Sequence, residues 1–281
     1  MNRAHEHTPH QHDDAGQAEI LDLDAEVLSE HIASLTAWLP LKGAPHQIVD
    51  LGCGTGAGTF ALLERFPDAH VTAVDTSAGH LQLLREKACA RGVEGRVRTV
   101  QADLDGDRWP DLGTPDLVWA SASMHHLADP ARALAAVREL LAPEGLFAVV
   151  ELAGFPRFLP ADAPEGRPGL EDRVHAATDS HHAEHVPHRG ADWGPMLTAA
   201  GFAVEDKRTV AVDIEGGRSD TIGRYAMAGL RRVRDVAAPA LSPEDLTALD
   251  ELLDPDSPNG LLHRADLAVR TERVVWAARR A

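Results

Sequence analysis

Cysteine, aromatic rings, positive charge and long apolar runs are all scarce in this 281-residue sequence. Only Cys53 and Cys89 are present. Two cysteines cannot form a disulfide framework, and Cys53 sits within a glycine-rich stretch where a bridge is awkward, so a reducing compartment is expected. No apolar run approaches the ~18 residues of a membrane span, and the N-terminus lacks the apolar core of a secretion signal. The expected location is cytoplasmic, with no membrane partner. Lys and Arg number 27 against 44 Asp and Glu, a formal net charge of -17. Such a surface repels a phosphate backbone, which argues against a nucleic-acid partner.

What is present is ordinary for a globular chain: 44% hydrophobic and 25% charged residues, enough for one large domain or one domain with an inserted cap. Residues 1–16 are polar and carry His5, His7, His10 and His12. Such a stretch cannot bury a core, and a disordered tail without a defined metal site is expected there. The remainder, 17–281, is expected to be a single domain.

Its first part, 17–39, places Leu21, Leu28, Ile32, Leu35 and Leu39 at helical spacing ahead of Pro40. A short apolar strand, 47–51, then runs into Gly52-Cys53-Gly54-Thr55-Gly56-Ala57-Gly58 and a helix over 59–65. The alternation continues with strand 70–75, helix 77–91, strands 96–100 and 116–120, helix 130–141 and strand 145–152. This pattern predicts an α/β, doubly wound, mainly parallel sheet covered on both faces. Glycine and proline cluster between Gly154 and Gly169, so 155–190 reads as an insertion over the strand ends. Helix 191–200, strand 202–213, a mostly helical 217–254 and a last strand, 271–279, complete the chain. Cap elements are assigned to 17–39, 155–190 and 214–265. The basic stretch Arg224–Arg234 has Met227, Leu230 and Val233 at helical spacing; it reads as an amphipathic helix with a solvated basic face, an anionic-substrate contact being the alternative.

Three strand ends carry groups suited to a ligand. Gly52, Gly54 and Gly56 let the backbone turn sharply and come close to a bound molecule. Asp75, ending the next strand with Thr76 beside it, projects toward the same crevice, where a carboxylate can accept ribose hydroxyls. Past the third strand, Asp103 offers an acceptor for an adenine amino group and Leu104 a surface for the ring.

With these residues in order, the sequence resembles the class I S-adenosylmethionine-dependent methyltransferases. The resemblance rests on VDLGCGTGAGT (49–59), AVDTS (73–77), QADLD (101–105), PDLVWASASMHHLADP (115–130) and LAPEGLFAVVEL (141–152). A nicotinamide dinucleotide fold is the rival for the glycine loop, but Asp50 before it and the acid on the third strand favour the methyltransferase pattern.

The resemblance implies a Rossmann-like, seven-stranded sheet with an antiparallel last strand and a helical cap. It implies S-adenosyl-L-methionine as cofactor, its methionine part beside Gly52, Cys53, Gly54 and Gly56 and its amino end held by Asp50. Asp75 with Thr76 would take the ribose, Asp103 and Leu104 the adenine, and the backbone near Ala120 and Ser121 would complete the amino-group site. The expected reaction is direct displacement of the methyl group onto an O, N or C atom of a small molecule. A protein or RNA methyltransferase and a non-catalytic cofactor-binding protein are the alternatives.

The family places residues after the fourth strand next to the transferring methyl, which makes His125 the candidate general base, histidine being suited to proton transfer near neutral pH. His126, Arg157, Trp193 and Tyr225 are the candidate acceptor contacts, Arg157 as a carboxylate partner. The insertion adds His175, His181, His182, His185 and His188, but their acidic neighbours fit a solvated helix equally well, and no metal is expected. Monomer and homodimer both remain open.

Overall fold

The structure, a computed structural model, describes residues 11–216 and 220–281. Five short strands form its parallel part: β1 (Gln47–Leu51), β2 (His70–Asp75), β3 (Val97–Gln101), β4 (Leu117–Ser121) and β5 (Leu146–Leu152). β1, β4 and β5 are almost continuously buried, as strands covered by helices on both faces must be. Two long strands follow, β6 (Phe202–Glu215) and β7 (Ala268–Arg280). The order across the sheet is β3-β2-β1-β4-β5-β7-β6, with β7 antiparallel to both of its neighbours. This is the doubly wound, seven-stranded sheet expected from the sequence. Its winding reverses between β1 and β4, and the crevice outside their carboxyl ends is where such sheets take ligands.

Local chemistry starts the helices. α3 (Ala57–Arg65) begins after Gly56, whose φ of 101° only glycine adopts readily. α4 (Ala78–Ala90) is capped by the Ser77 hydroxyl, which accepts the His80 N–H at 3.1 Å. α5 (Pro130–Leu140) combines an Asp129 cap with proline in its first turn.

The helix expected over 17–39 is two helices. α1 spans Gln11–Val27 and α2 spans Ser29–Trp38, with Leu28 leaving helical geometry between them at φ -96° and ψ 12°. Residues 11–16, assigned to the tail, are the opening turns of α1; His5, His7 and His10 lie outside the described residues. The segment 155–190 contains α6 (Leu170–His185), followed by α7 (Trp193–Ala199); α8 (Asp220–Ala237) and α9 (Pro243–Leu252) lie between β6 and β7. β6 and β7 outrun their expected spans because they pair with each other from Phe202↔Arg280 to Glu215↔Ala268, past the end of the parallel sheet.

Apolar side chains gather in three clusters. Two sandwich the sheet, one around Leu62, Leu84 and Trp119, the other around Leu134, Phe147 and Trp276. The third joins Leu23 of α1, Phe158, Val174 of α6, Leu230 of α8 and Leu249 of α9. The three stretches assigned to a cap therefore share one apolar cluster. Cys53 is buried and Cys89 exposed, and both are free thiols. Among the described residues no helix is long and apolar enough to cross a membrane.

Candidate functional site

Close approach is built into the glycine loop. Gly52 has φ 65°, and a Cβ there would lie 2.4 Å from the Ser123 Cβ. Gly54, at φ 52°, would meet Leu21 of α1 at 3.0 Å, and Gly58 would meet the Trp119 indole nitrogen at 2.5 Å. Asp75 ties the loop to the next strand: its Oδ2 accepts the Gly54 N–H at 2.8 Å and its Oδ1 the Ser77 N–H at 2.9 Å. Burial pushes the Asp75 carboxyl up, but hydrogen bonds from His80, Ser77 and Gly54 outweigh it and hold the group below its ordinary range. Ser77 and His80 take up Oδ1, while Oδ2, bonded only to Gly54, keeps a lone pair for a further donor.

Asp50 is different. It is 2% exposed and accepts the Thr59 hydroxyl at 2.6 Å. Loss of water around it raises its pKa to about 7 despite that bond, and the nearby Asp75 charge adds to the rise. A cation placed beside it would reverse the shift.

These groups line a cavity of about 450 Å³ at the switch point, together with Cys53, Thr76, Asp103, Leu104 and Ser121. That volume falls within the ~300–1,000 Å³ usual for small-molecule sites. Two expected members are elsewhere. Gly56 does not line the cavity; its Cβ space is filled by Phe60, 2.6 Å away, and it serves to start α3. Ala120 is fully buried within the sheet, beside Val149 of β5. Sequence reading also missed wall residues: Gln17, Leu21 and Asp24 of α1, Trp119, Asp105 and Ala122. Asp105 accepts the backbone N–H groups of Ala128 and Asp129 at 3.0 and 3.1 Å, and so fixes the loop after β4. Ala122 has φ 51°, a left-handed conformation that an alanine adopts only under constraint. Its N–H donates to Val150 O at 2.8 Å.

A second cavity, of about 150 Å³, adjoins the first and shares Gln17, Leu21, Asp24, Ala122, His126, Arg232 and Arg273 with it. His125 lines this second space. It is 1% exposed, its Nδ1 lies 2.5 Å from Glu151 Oε2, and its backbone N–H donates to Glu151 Oε1 at 3.2 Å. Glu151, near the end of β5, is itself 2% exposed. It is legible in principle, as a carboxylate in the otherwise apolar run Leu146–Leu152. His126 faces both cavities, its ring centroid 4.2 Å from that of His125. Burial first, then the neighbouring His125, Arg189 and Arg232, lower the His126 pKa to about 4.

Of the other expected acceptor contacts, Tyr225 lines the second cavity and donates its hydroxyl to Asp24 Oδ1 at 2.5 Å. Its acidity is suppressed by burial and by that carboxylate. Arg157 lines neither cavity: its guanidinium pairs with Asp172 at 3.2 Å and with Glu171 O. Trp193 is wholly buried in the core beneath β7. Two arginines absent from the expected set, Arg189 and Arg232, take positions in the second cavity. The basic face of α8 is thus divided, with Arg224 and Arg234 paired to Glu19 and Asp250 while Arg232 faces the site. His181 and His185 do share a helix face, their rings stacked 4.0 Å apart. Among the described residues no three His, Cys, Asp or Glu side chains are grouped to hold a metal ion.

A family model described as a methyltransferase domain matches residues 49–147. A trans-aconitate 2-methyltransferase of Methylobacterium nodulans is 32% identical over 223 residues, 79% of each chain. The corresponding enzyme of Methylobacterium radiotolerans is 38% identical over 117 residues, 42% of each chain. The first curated relatives are matched over only 27% to 42% of their own length. A solved structure from Thiobacillus denitrificans, an S-adenosylmethionine-dependent methyltransferase in complex with S-adenosyl-L-homocysteine, shares the fold. Its TM-score is 0.51, with 18% identity, covering 90% of this chain and 91% of that one.

Proposed function

Because the chain belongs to the class I S-adenosylmethionine-dependent methyltransferase family, we propose that it binds S-adenosyl-L-methionine and passes the methyl group to a small molecule. The carrying observation is the pair of adjoining cavities, one walled by the glycine loop and strand-end carboxylates, the other by the His125–Glu151 pair. Two spaces sharing Ala122 and His126 suit a donor and an acceptor meeting at that wall. The relatives' names, trans-aconitate and demethylmenaquinone methyltransferases, support an acceptor of small-molecule size.

The first cavity fits the cofactor chemically. Gly52, Gly54 and Gly58 line it with backbone packed closely on Ser123, Leu21 and Trp119, Asp75 keeps an acceptor lone pair on Oδ2 for a ribose hydroxyl, and Asp103 offers one to adenine. Asp50, largely protonated below about pH 7, ionises when an ammonium group arrives beside it. When bound, S-adenosylmethionine supplies a methyl group already activated on a sulfonium.

The chain's own task is then to align an acceptor lone pair and exclude water. For a protic acceptor, His125 takes the proton. Glu151, accepting from Nδ1–H, fixes the tautomer that presents the Nε2 lone pair and stabilises the imidazolium that follows. His126, with its pKa near 4, is too weak a base for that role and serves as a wall.

Calorimetric titration of the full chain with S-adenosylmethionine and S-adenosylhomocysteine, beside NADH and an Asp75→Ala variant, tests the reading. Binding of both sulfur ligands, weakened by the substitution and absent for NADH, is expected. No binding of either sulfur ligand would remove the proposal.

A further inference from the structure

The charges lining the smaller cavity do not balance. Its charged or ionisable walls are Asp24, Arg189, Arg232, Arg273 and three histidines. Asp24 is consumed by Arg273, whose Nη2 lies 2.8 Å from both carboxylate oxygens, and by the Tyr225 hydroxyl. Glu151, behind the wall, is occupied by His125. Arg189 and Arg232 are left: among the described residues neither forms an ion pair. Arg189 Nε and Nη1 are moreover buried without a hydrogen-bond partner.

The Arg189 guanidinium is fixed rather than free. It stacks over the Phe155 ring, 3.8 Å from its centroid. Burial, reinforced by the like charge of Arg232 and partly offset by Glu151, lowers its pKa to about 10. The buried, unused N–H donors of Arg189, with the solvent-exposed guanidinium of Arg232 on the same cavity wall, form half of an ion-pair site.

Resting on the methyl-transfer reading, we propose that the acceptor carries a carboxylate and that Arg189 and Arg232 bind it, so that this pair determines acceptor specificity. A planar two-oxygen anion matches the fork of donors on a guanidinium. The small volume of the cavity, about 150 Å³, favours a compact acid. Its source is the acceptor molecule itself, since the cavity opens onto the donor site through Ala122 and His126.

The test is calorimetry on the full chain, with and without saturating S-adenosylhomocysteine, using succinate and benzoate beside their neutral amides, succinamide and benzamide. At least one acid should bind about tenfold or more tighter than its amide, the size expected for a lost charge-assisted contact. Arg189→Gln and Arg232→Gln should each remove most of that preference, Arg189→Lys should restore part of it, and Arg157→Gln should leave it intact. Unchanged thermal unfolding and S-adenosylhomocysteine affinity in the glutamine variants would show that the fold and donor site survive. Acids bound no better than amides, or a preference that persists in both glutamine variants, would overturn the proposal. Failure of S-adenosylhomocysteine to bind would strike the methyl-transfer reading alone, because the acid and amide titrations without it still decide this one.

Discussion

The two cavities share a wall yet are made in different ways. The larger is centred on strand ends that follow one another in sequence, a glycine loop after β1 and the carboxylates of Asp50, Asp75 and Asp103, with α1 and the loop after β4 completing its wall. The smaller is made of side chains brought from α1, the loop after β4, β5, the segment around α6 and α8, which span most of the sequence. A site built on consecutive strand ends is fixed by the fold and serves any relative that uses the same donor. A side-chain-built site can be rewritten one residue at a time, which is how one fold comes to serve many acceptors.

If that division is right, substitutions should separate donor binding from chemistry. The largest separation is expected at His125. With a protic acceptor, His125→Ala should lower the single-turnover rate by about 10²- to 10⁴-fold, and Glu151→Gln by less, while S-adenosylhomocysteine affinity stays within about twofold of wild type. Equal losses in rate and donor affinity would erase the distinction between the cavities.

Gly52→Ala should do the reverse, striking the donor cavity and the fold together. The new Cβ meets Ser123 Cβ at 2.4 Å, and φ 65° strains any side chain. A stability loss of about 2–4 kcal/mol is expected in chemical denaturation, from overpacking and backbone strain together. The double variant with Ser123→Gly should recover the steric part and leave the strain. Absence of any recovery would mean that Ser123 is not what makes glycine necessary.

A smaller effect is expected from Asp50, and it depends on pH. Its folded pKa of about 7 stands above the ordinary 3.8, so the folded state binds the extra proton. Its unfavourable contribution to stability therefore grows as pH rises from about 4 to about 7, then levels off. Asp50→Asn should flatten that part of the stability–pH curve, read from denaturant midpoints between pH 4 and 8. Wild-type binding of S-adenosylmethionine near pH 6 should release a proton, seen as a heat that varies with the ionisation enthalpy of the buffer. The asparagine variant should release none.

Legibility in the sequence followed the same division. The meeting of Asp75 with Gly52 and Gly54 at one crevice is legible because it depends on local order, a strand end running into a tight turn. Gly56, expected beside the cofactor, does not line the cavity and turns the chain into α3. Arg157 and Arg189 show the opposite case. Both lie in the same expected insertion, and composition cannot say that Asp172 neutralises the first while the second stacks on Phe155 and faces inward. Trp193 was ambiguous for the same reason, since a large ring at a helix start serves a core and a pocket equally well. The break at Leu28 was hidden because apolar spacing runs unbroken through it.

Helix α1 reaches every part of the site. Leu21 borders both cavities, Asp22 is bonded to Thr55 of the glycine loop and to Lys87 of α4, and Asp24 is bonded to Arg273 and Tyr225 on the acceptor side. A ligand pressing on α1 from one cavity therefore acts on a wall of the other. Any coupling carried by α1 is reciprocal: the donor changes acceptor affinity by the same factor as the acceptor changes donor affinity.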